Sequence, residues 1–419
     1  MATEFPLVSW AKDTNIYEVN IRQYTREGSF AAFANHLPRL KSMGVEVLWM
    51  MPITPISAAV RQGTLGSYYA CSSYTAINPE YGNLDDFKQL VQAIHAAGMY
   101  VIIDWVANHT GWDHHWTKEH PDWYVLDEEG NFTEKNGWHD VIDLDYTNQA
   151  MRNAMIEAMQ FWVKETGIDG FRCDMAHLVP LDFWKSARAA CDPIRPLFWL
   201  AECEVVDYHQ VFDLSYAWHW MHTTEKYAKG EVDVQSIHQV LHSYSQYPTG
   251  AHKLFFTSNH DENSWNGTEY EKYGRAALPW SVFTATWKGV PLVYSGQELP
   301  NLKRLAFFDK DLIEWNERPA LHDWYCRLLR LRKEAGLQEA ETFVLPVSHP
   351  HVMAYLRRYQ GKVVLVLLNF SADTRVKITV AHEWVKGNFR SLASGLHYSF
   401  KNEHLFELQA YDALVYISA

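Results

Sequence analysis

Asp169-Gly170-Phe171-Arg172-Cys173-Asp174-Met175 is the stretch from which the fold can be read. Residues 150–165 before it carry helical periodicity and Gly167 stands just beyond them, so a helix leads into a short strand that ends at a carboxylate. Side chains alternate along a strand, so Arg172 and Asp174 project to one face and Cys173 to the other. If that face is the lumen of a barrel, the guanidinium lies beside the carboxylate, lowers its pKa and keeps it ionised. A buried Arg–Asp pair that only ties the barrel together is the plainer reading of the same residues.

The unit repeats on both sides. Apolar runs that read as strands occupy residues 16–21, 45–50, 100–106, 169–175, 197–203, 211–217, 253–258 and 290–294. Between and after them lie helical segments. One is capped by Ser29, runs to Ser42 and ends at Gly44; another starts at Asn83 and runs to Ala97, stopped by Gly98. Others cover 181–191, 234–244, 274–287 and 324–333. This alternation predicts an α/β fold, a (β/α)8 TIM barrel, rather than an open doubly wound sheet. An open sheet would show a phosphate-binding GxGxxG after its first strand, and the sequence has none.

Two departures define further domains. Residues 108–146 interrupt the barrel after the third strand and are rich in Trp, His, Asp and Gly, which predicts a short excursion domain with a functional role. From about residue 340 the periodicity switches to two, with strands at 353–357, 363–368, 376–380 and 414–417, which predicts a C-terminal antiparallel β-sandwich. The expected organisation is barrel 1–107, excursion 108–146, barrel 147–338 and sandwich 339–419.

Bulk composition excludes several classes. Of 419 residues, 47% are hydrophobic and 21% charged, an ordinary globular balance. The formal net charge is −13 with no Lys/Arg cluster, which argues against a nucleic-acid partner. No apolar run reaches the ~20 residues that cross a bilayer, so no membrane partner is expected. The N-terminal residues 1–10 carry no secretory signal, so the expected compartment is the cytoplasm, or outside it if a leader was removed. Cys71, Cys173, Cys191, Cys203 and Cys326 have no CxxC spacing, and reduced thiols are the default. Eighteen Trp and 23 Tyr read first as a large ring-rich core, and the remaining rings suit the apolar faces of sugars. Oligomeric state is not legible.

In a barrel of this kind the active site lies at the C-terminal strand ends. The third strand ends Asp104-Trp105-Val106-Ala107-Asn108-His109, the fourth at Arg172-Cys173-Asp174, the fifth at Leu200-Ala201-Glu202 and the seventh at Ser258-Asn259-His260-Asp261. These four ends resemble, in order and spacing, the signature regions of the α-amylase family, glycoside hydrolase family 13. Gly44 to Ile53, the segment Tyr69 to Gly82 and Gly296-Gln297-Glu298 add to the likeness. It covers roughly residues 15–336 and, more weakly, the sandwich.

The resemblance implies Asp174 as nucleophile with Arg172 as its orienting partner, Glu202 as general acid/base and Asp261 as the carboxylate that holds sugar hydroxyls. It places His109 and His260 on the same sugar, Tyr69 stacked against it and Asp104 beneath the site near Arg172. The chemistry agrees. A retaining glycosidase needs an ionised and a protonated carboxyl group about 5–5.5 Å apart. Glu202 follows an apolar strand, where desolvation raises its pKa and favours the acid form. Glu204 shares its face but lies nearer solvent. The run Trp112-Asp113-His114-His115-Trp116 matches no zinc spacing and reads as a solvated or sugar-facing loop.

The implied reaction is retaining cleavage of α-1,4-glucosidic bonds in starch or malto-oligosaccharides, an α-glucan or oligosaccharide being the substrate. An α-glucan transglycosylase or a narrow α-glucosidase would share the same site, whereas a non-catalytic binding or assembly relative should have lost a carboxylate. Where many members carry Lys-His after the nucleophile, this chain has His177-Leu178, and Ser73 stands where Asp is common. Asn108 and Asp143 match typical calcium-ligand positions, yet two oxygen donors fall short of the six to eight that Ca²⁺ takes. No cofactor is therefore required, with calcium at that pair left open.

Overall fold

The computed structural model describes residues 5–11 and 13–418; the reading of the N-terminal segment therefore lies partly outside the described residues. Eight parallel strands close a barrel in chain order: β1 Ile16–Val19, β2 Val47–Met50, β3 Tyr100–Trp105, β4 Gly170–Cys173, β5 Phe198–Ala201, β6 Leu214–Tyr216, β7 His252–Phe255 and β8 Val290–Tyr294, with β8 pairing back onto β1. Nearly every residue of these strands is buried, because the lumen packs one face and the surrounding helices pack the other.

Local chemistry starts and stops the helices. Asn148 accepts from the amides of Ala150 and Met151 at the start of Gln149–Thr166, and Gly167 closes it at φ +70°. Asn83 and Asp86 form a reciprocal cap on Leu84–Ala96. The predicted helix from Ser29 to Ser42 is instead two, Phe30–Ala34 and Leu37–Met43. Pro38 is the reason: it has no N–H and its ring would clash with the carbonyl of Ala34, so it is admitted only in the first turn of the second helix. Between β5 and β6 there is only a 3-10 turn, Val206–Gln210, and two helices, Trp218–Ala228 and Val234–Ser245, follow β6.

The excursion after β3 is a small lobe whose strands His109–Gly111 and Val141–Asp143 pair antiparallel. Its His-rich run is solvated only in part: His115 is exposed, Trp112 and Asp113 are half-buried, and the rest packs inward. His114 is fully buried against Tyr74 and Trp116, and Asp113 accepts from the amides of Ala58 and Ala59. Beyond Glu334 the chain forms a six-stranded antiparallel sheet and a two-stranded partner, Val376–Ala381 with Glu403–Leu408. Ile378, Phe406 and Leu408 pack with Leu365, Leu367 and Phe389 between them, giving the expected sandwich. No helix among the described residues is long and apolar enough to cross a membrane.

Gly170 reports how tightly β4 is held. A Cβ there would sit 2.0 Å from the carbonyl oxygen of Phe198 in β5, a backbone atom that cannot step aside. Gly170→Ala is expected to cost about 3 kcal/mol, the upper range for overpacking, and to shift Arg172 and Asp174 with the strand. Urea denaturation checks this; a variant that unfolds with the wild type would show that the strands have slack.

Candidate active site

The strand register assembles the site. Asp104 on β3 is the direct partner of Arg172 on β4, and Cys173 is the partner of Ala201 on β5. One step further along each strand sets Asp174 abreast of Glu202, on strands ~4.8 Å apart. Arg172 Nη1 donates to Asp104 Oδ1 and Asp174 Oδ1, both at 2.8 Å, and Nη2 lies 2.7 Å from Glu202 Oε2. Its Nε donates to the Tyr216 hydroxyl at 3.2 Å, and the Trp49 ring lies 4.9 Å from the guanidinium carbon. One fully buried cation thus holds three carboxylates.

A second chain of contacts runs from the opposite wall. Glu18 on β1 accepts from His260 Nδ1 at 2.5 Å, and His260 Nε2 lies 2.8 Å from the Tyr69 hydroxyl and 3.3 Å from Asp261 Oδ2. Tyr69 donates that hydroxyl to Asp104 Oδ2 at 2.9 Å, as does the Trp49 indole N–H at 3.2 Å. The two chains meet at Asp104. After Asp174 the backbone turns left-handed at Met175 (φ +39°), and the Met175 amide donates to Glu202 Oε2 at 3.0 Å. A non-glycine residue in that region costs of order 1 kcal/mol, which here aims a donor at the proposed acid.

These contacts order the acidities. Burial pushes Glu202 up to about 7, with Arg172 pulling down and Asp174 and Asp261 adding repulsion. Burial also pushes Asp174 up to about 6 against the pull of Arg172. This corrects the expectation that Arg172 alone sets Asp174 low: the same cation is shared with Asp104 and Glu202, and desolvation outweighs it. Asp104 is likewise raised to about 6 by burial. Asp261 is opposed by desolvation but lowered by the His260 charge beside it, and its side chain remains 39% exposed to the cavity. Burial lowers His109 to about 4, so it is neutral.

The carboxylates open onto a cavity of about 310 Å³ whose polar floor includes Asp174, Glu202 and Asp261. Its wall is aromatic, with Tyr69, Trp138, Trp265, Phe307 and Phe308 around it and His109 at one side. The sequence-derived residues Tyr69, His109, Asp174, Glu202 and Asp261 line the cavity directly, whereas Asp104, Arg172 and His260 stand behind them. Glu204 is turned away, accepting from the Tyr244 hydroxyl at 2.6 Å and the His219 amide at 2.8 Å. Asn108 Nδ2 lies 3.5 Å from Asp143 Oδ1 and 3.2 Å from His109 Nδ1. His109 adjoins that pair, and among the described residues no group of three His, Cys, Asp or Glu side chains converges there. Asn108 and Asp143 offer two side-chain oxygen positions of the six to eight that Ca²⁺ takes.

Sequence reasoning missed Glu18, Trp49 and Tyr216, which support the site, and Trp138, Trp265 and Phe307, which wall it. Only Glu18 left a readable signal: a lone acid inside the buried strand Ile16–Val19.

The α-amylase catalytic-domain family matches residues 11–138 and 120–194, and the maltogenic amylase C-terminal domain matches 342–415. The crystal structure of AmyB from Thermotoga neapolitana, described as a noncanonic maltogenic α-amylase, is 31% identical with a TM-score of 0.90, covering 98% of this chain and 99% of that one. This chain belongs to the α-amylase family.

Other members match over different extents. The α-amylase MalA of Haloarcula japonica is 25% identical over 414 residues, covering 92% of this family member but 60% of MalA. An α-1,4-glucan:maltose-1-phosphate maltosyltransferase from Rhodospirillum rubrum is 34% identical over 181 residues, 38% of this chain and 26% of its own. The chain thus spans 60% of the one relative and 26% of the other.

Proposed function

We propose that this chain is a retaining α-glycoside hydrolase that cleaves α-1,4-glucosidic bonds of starch or malto-oligosaccharides. The observation that carries the reading is the single guanidinium of Arg172, which holds Asp174 and Glu202 side by side at the cavity floor with Glu202 the weaker acid. Asp174, ionised, attacks the anomeric carbon. The bond from that carbon to the leaving oxygen breaks as Glu202 gives its proton to that oxygen. A glycosyl ester on Asp174 results. Water then enters, Glu202 takes its proton, the oxygen bonds to the anomeric carbon and the ester bond to Asp174 breaks. Two inversions give net retention. Asp261 stays ionised and accepts from sugar hydroxyls that tighten in the oxocarbenium-like transition state, while the aromatic wall holds the apolar sugar faces.

Incubation with amylose, pullulan, maltotriose and sucrose, with the anomers followed by NMR, tests this. The α-anomer should appear first from amylose; first appearance of the β-anomer, or turnover of sucrose alone, would overturn the reading. Transfer to a sugar acceptor is the second reading, favoured by a separate cavity of about 600 Å³ that shares Glu202 and is lined by Glu204, Trp218 and His222. The maltosyltransferase similarity points the same way. Longer oligosaccharides formed from maltotriose would select it.

The acidities predict a narrow pH profile. Turnover needs Asp174 ionised, which requires pH above about 6, and Glu202 protonated, which requires pH below about 7. The value of kcat/KM should therefore rise through the lower figure, fall through the higher and peak between them. An optimum well into the alkaline range would contradict the assignment of Glu202 as the acid.

No step passes through a metal. Exhaustive chelation is expected to leave kcat and the melting temperature unchanged, and a calcium-dependent loss of either would show that Asn108 and Asp143 recruit further ligands.

A further inference from the structure

Glu18 is fully buried in the barrel wall, and its Oε2 has no hydrogen-bond partner among the described residues. A carboxylate in that setting is costly unless a partner compensates it. Its partner is His260, through Oε1 and Nδ1.

The groups around His260 leave it one consistent protonation state. Glu18 faces Nδ1 from β1, and Asp261 faces Nε2 from the same segment as His260. The Tyr69 hydroxyl also faces Nε2, and its proton is committed to Asp104 on β3. Trp49 on β2 presents an edge-on ring at 5.9 Å, and Phe307 a tilted ring at 6.2 Å. Arg172 stands beyond Asp104. Both ring nitrogens therefore point at acceptors. A neutral imidazole has one N–H and would turn a lone pair towards either Glu18 or the Tyr69–Asp261 pair. Only the imidazolium serves both sides.

We propose that Glu18 is a positioning residue: by accepting from Nδ1 it fixes His260 as a double donor, so that Nε2–H steers Tyr69 and keeps Asp261 ionised and turned to the sugar. Burial alone would neutralise His260, and the Asp261 and Glu18 charges overcome it. The kinetic consequence rests on the hydrolase reading; the state of the imidazole does not.

The test uses the full chain labelled with ¹⁵N-histidine, with the His260 ring nitrogens assigned by difference against His260→Asn. At about pH 8 the wild type should show both nitrogens protonated, Glu18→Gln should show one deprotonated, and Glu18→Asp should restore the doubly protonated ring. In parallel, kcat/KM of Glu18→Gln should fall about tenfold relative to wild type at about pH 8, and by less at about pH 5.5, where the ring regains its proton. A neutral His260 in the wild type at about pH 8 would overturn the proposal whether or not the Glu18 variants fold. So would a doubly protonated ring in Glu18→Gln, or a loss equal at both pH values and shared by Glu18→Asp. Because the nitrogen spectra need no substrate, a failed hydrolase reading would silence the kinetics and leave the imidazole result standing.

Discussion

Asp174→Asn is expected to lower kcat by about 10⁴-fold or more while leaving the barrel at least as stable as the wild type. The rate loss follows from chemistry: a carboxamide keeps the shape of the side chain but cannot form the glycosyl ester, and removing a group that acts within a concerted unit forfeits most of the acceleration. The stability expectation follows from charge. Asp174 shares Arg172 with Asp104 and Glu202, and burial raises its pKa to about 6, so its ionised form is disfavoured by folding. A neutral amide can still accept from Nη1 of Arg172 and removes one negative charge from a cluster with a single cation. Initial rates on amylose and a thermal melt check both halves. A variant that keeps most of the activity would remove Asp174 from the role of nucleophile.

Arg172→Met should be the most damaging change outside the reacting groups. It strips the shared cation from three buried carboxylates, and breaking a buried pair in this way costs about 3–5 kcal/mol. The sign with pH follows from the direction of the shifts. Arg172 is what holds the three carboxyl pKa values down against burial, so without it they rise further above their unfolded values near ~4. A raised folded pKa means that stability present at low pH is lost as pH rises through it. The variant should therefore be nearest to wild type in acid and fall away towards neutral pH. What activity remains should shift to higher pH, because Asp174 then ionises later. Denaturant midpoints in acid and at neutral pH, with a kcat/KM profile, measure both effects. Equal midpoints throughout would show that the guanidinium is not the counter-ion of the cluster. Arg172→Lys keeps the charge but not the fork, and should recover stability better than rate.

The barrel was legible because its strands are short, largely apolar runs, four of which lead into polar residues. Of those polar ends, Asp174, Glu202 and Asp261 line the cavity, with Asp104 behind them. Other elements left weaker traces. Trp218–Ala228 was missed because Trp, His, Thr and Tyr, poor helix formers, fill much of it, and it is held by packing of Trp220 and Met221 rather than by propensity. The strands Glu341–Leu345 and His397–Phe400 lie at the edges of the six-stranded sheet, and their exposed residues blur the period-two pattern.

Sequence alone determined the strand order, the residues at the strand ends and the family, because spacing along the chain fixes which side chains a parallel barrel carries to its mouth. Only the tertiary structure decided how those side chains share charge. Arg172 meets three carboxylates that lie on three neighbouring strands, and Glu18 reaches His260 across 242 residues. Protonation depends on burial and on distances through space, neither of which is a local property of the chain; so the acidity of Asp174, read low from its neighbour two residues away, came out raised once the whole cluster was in place.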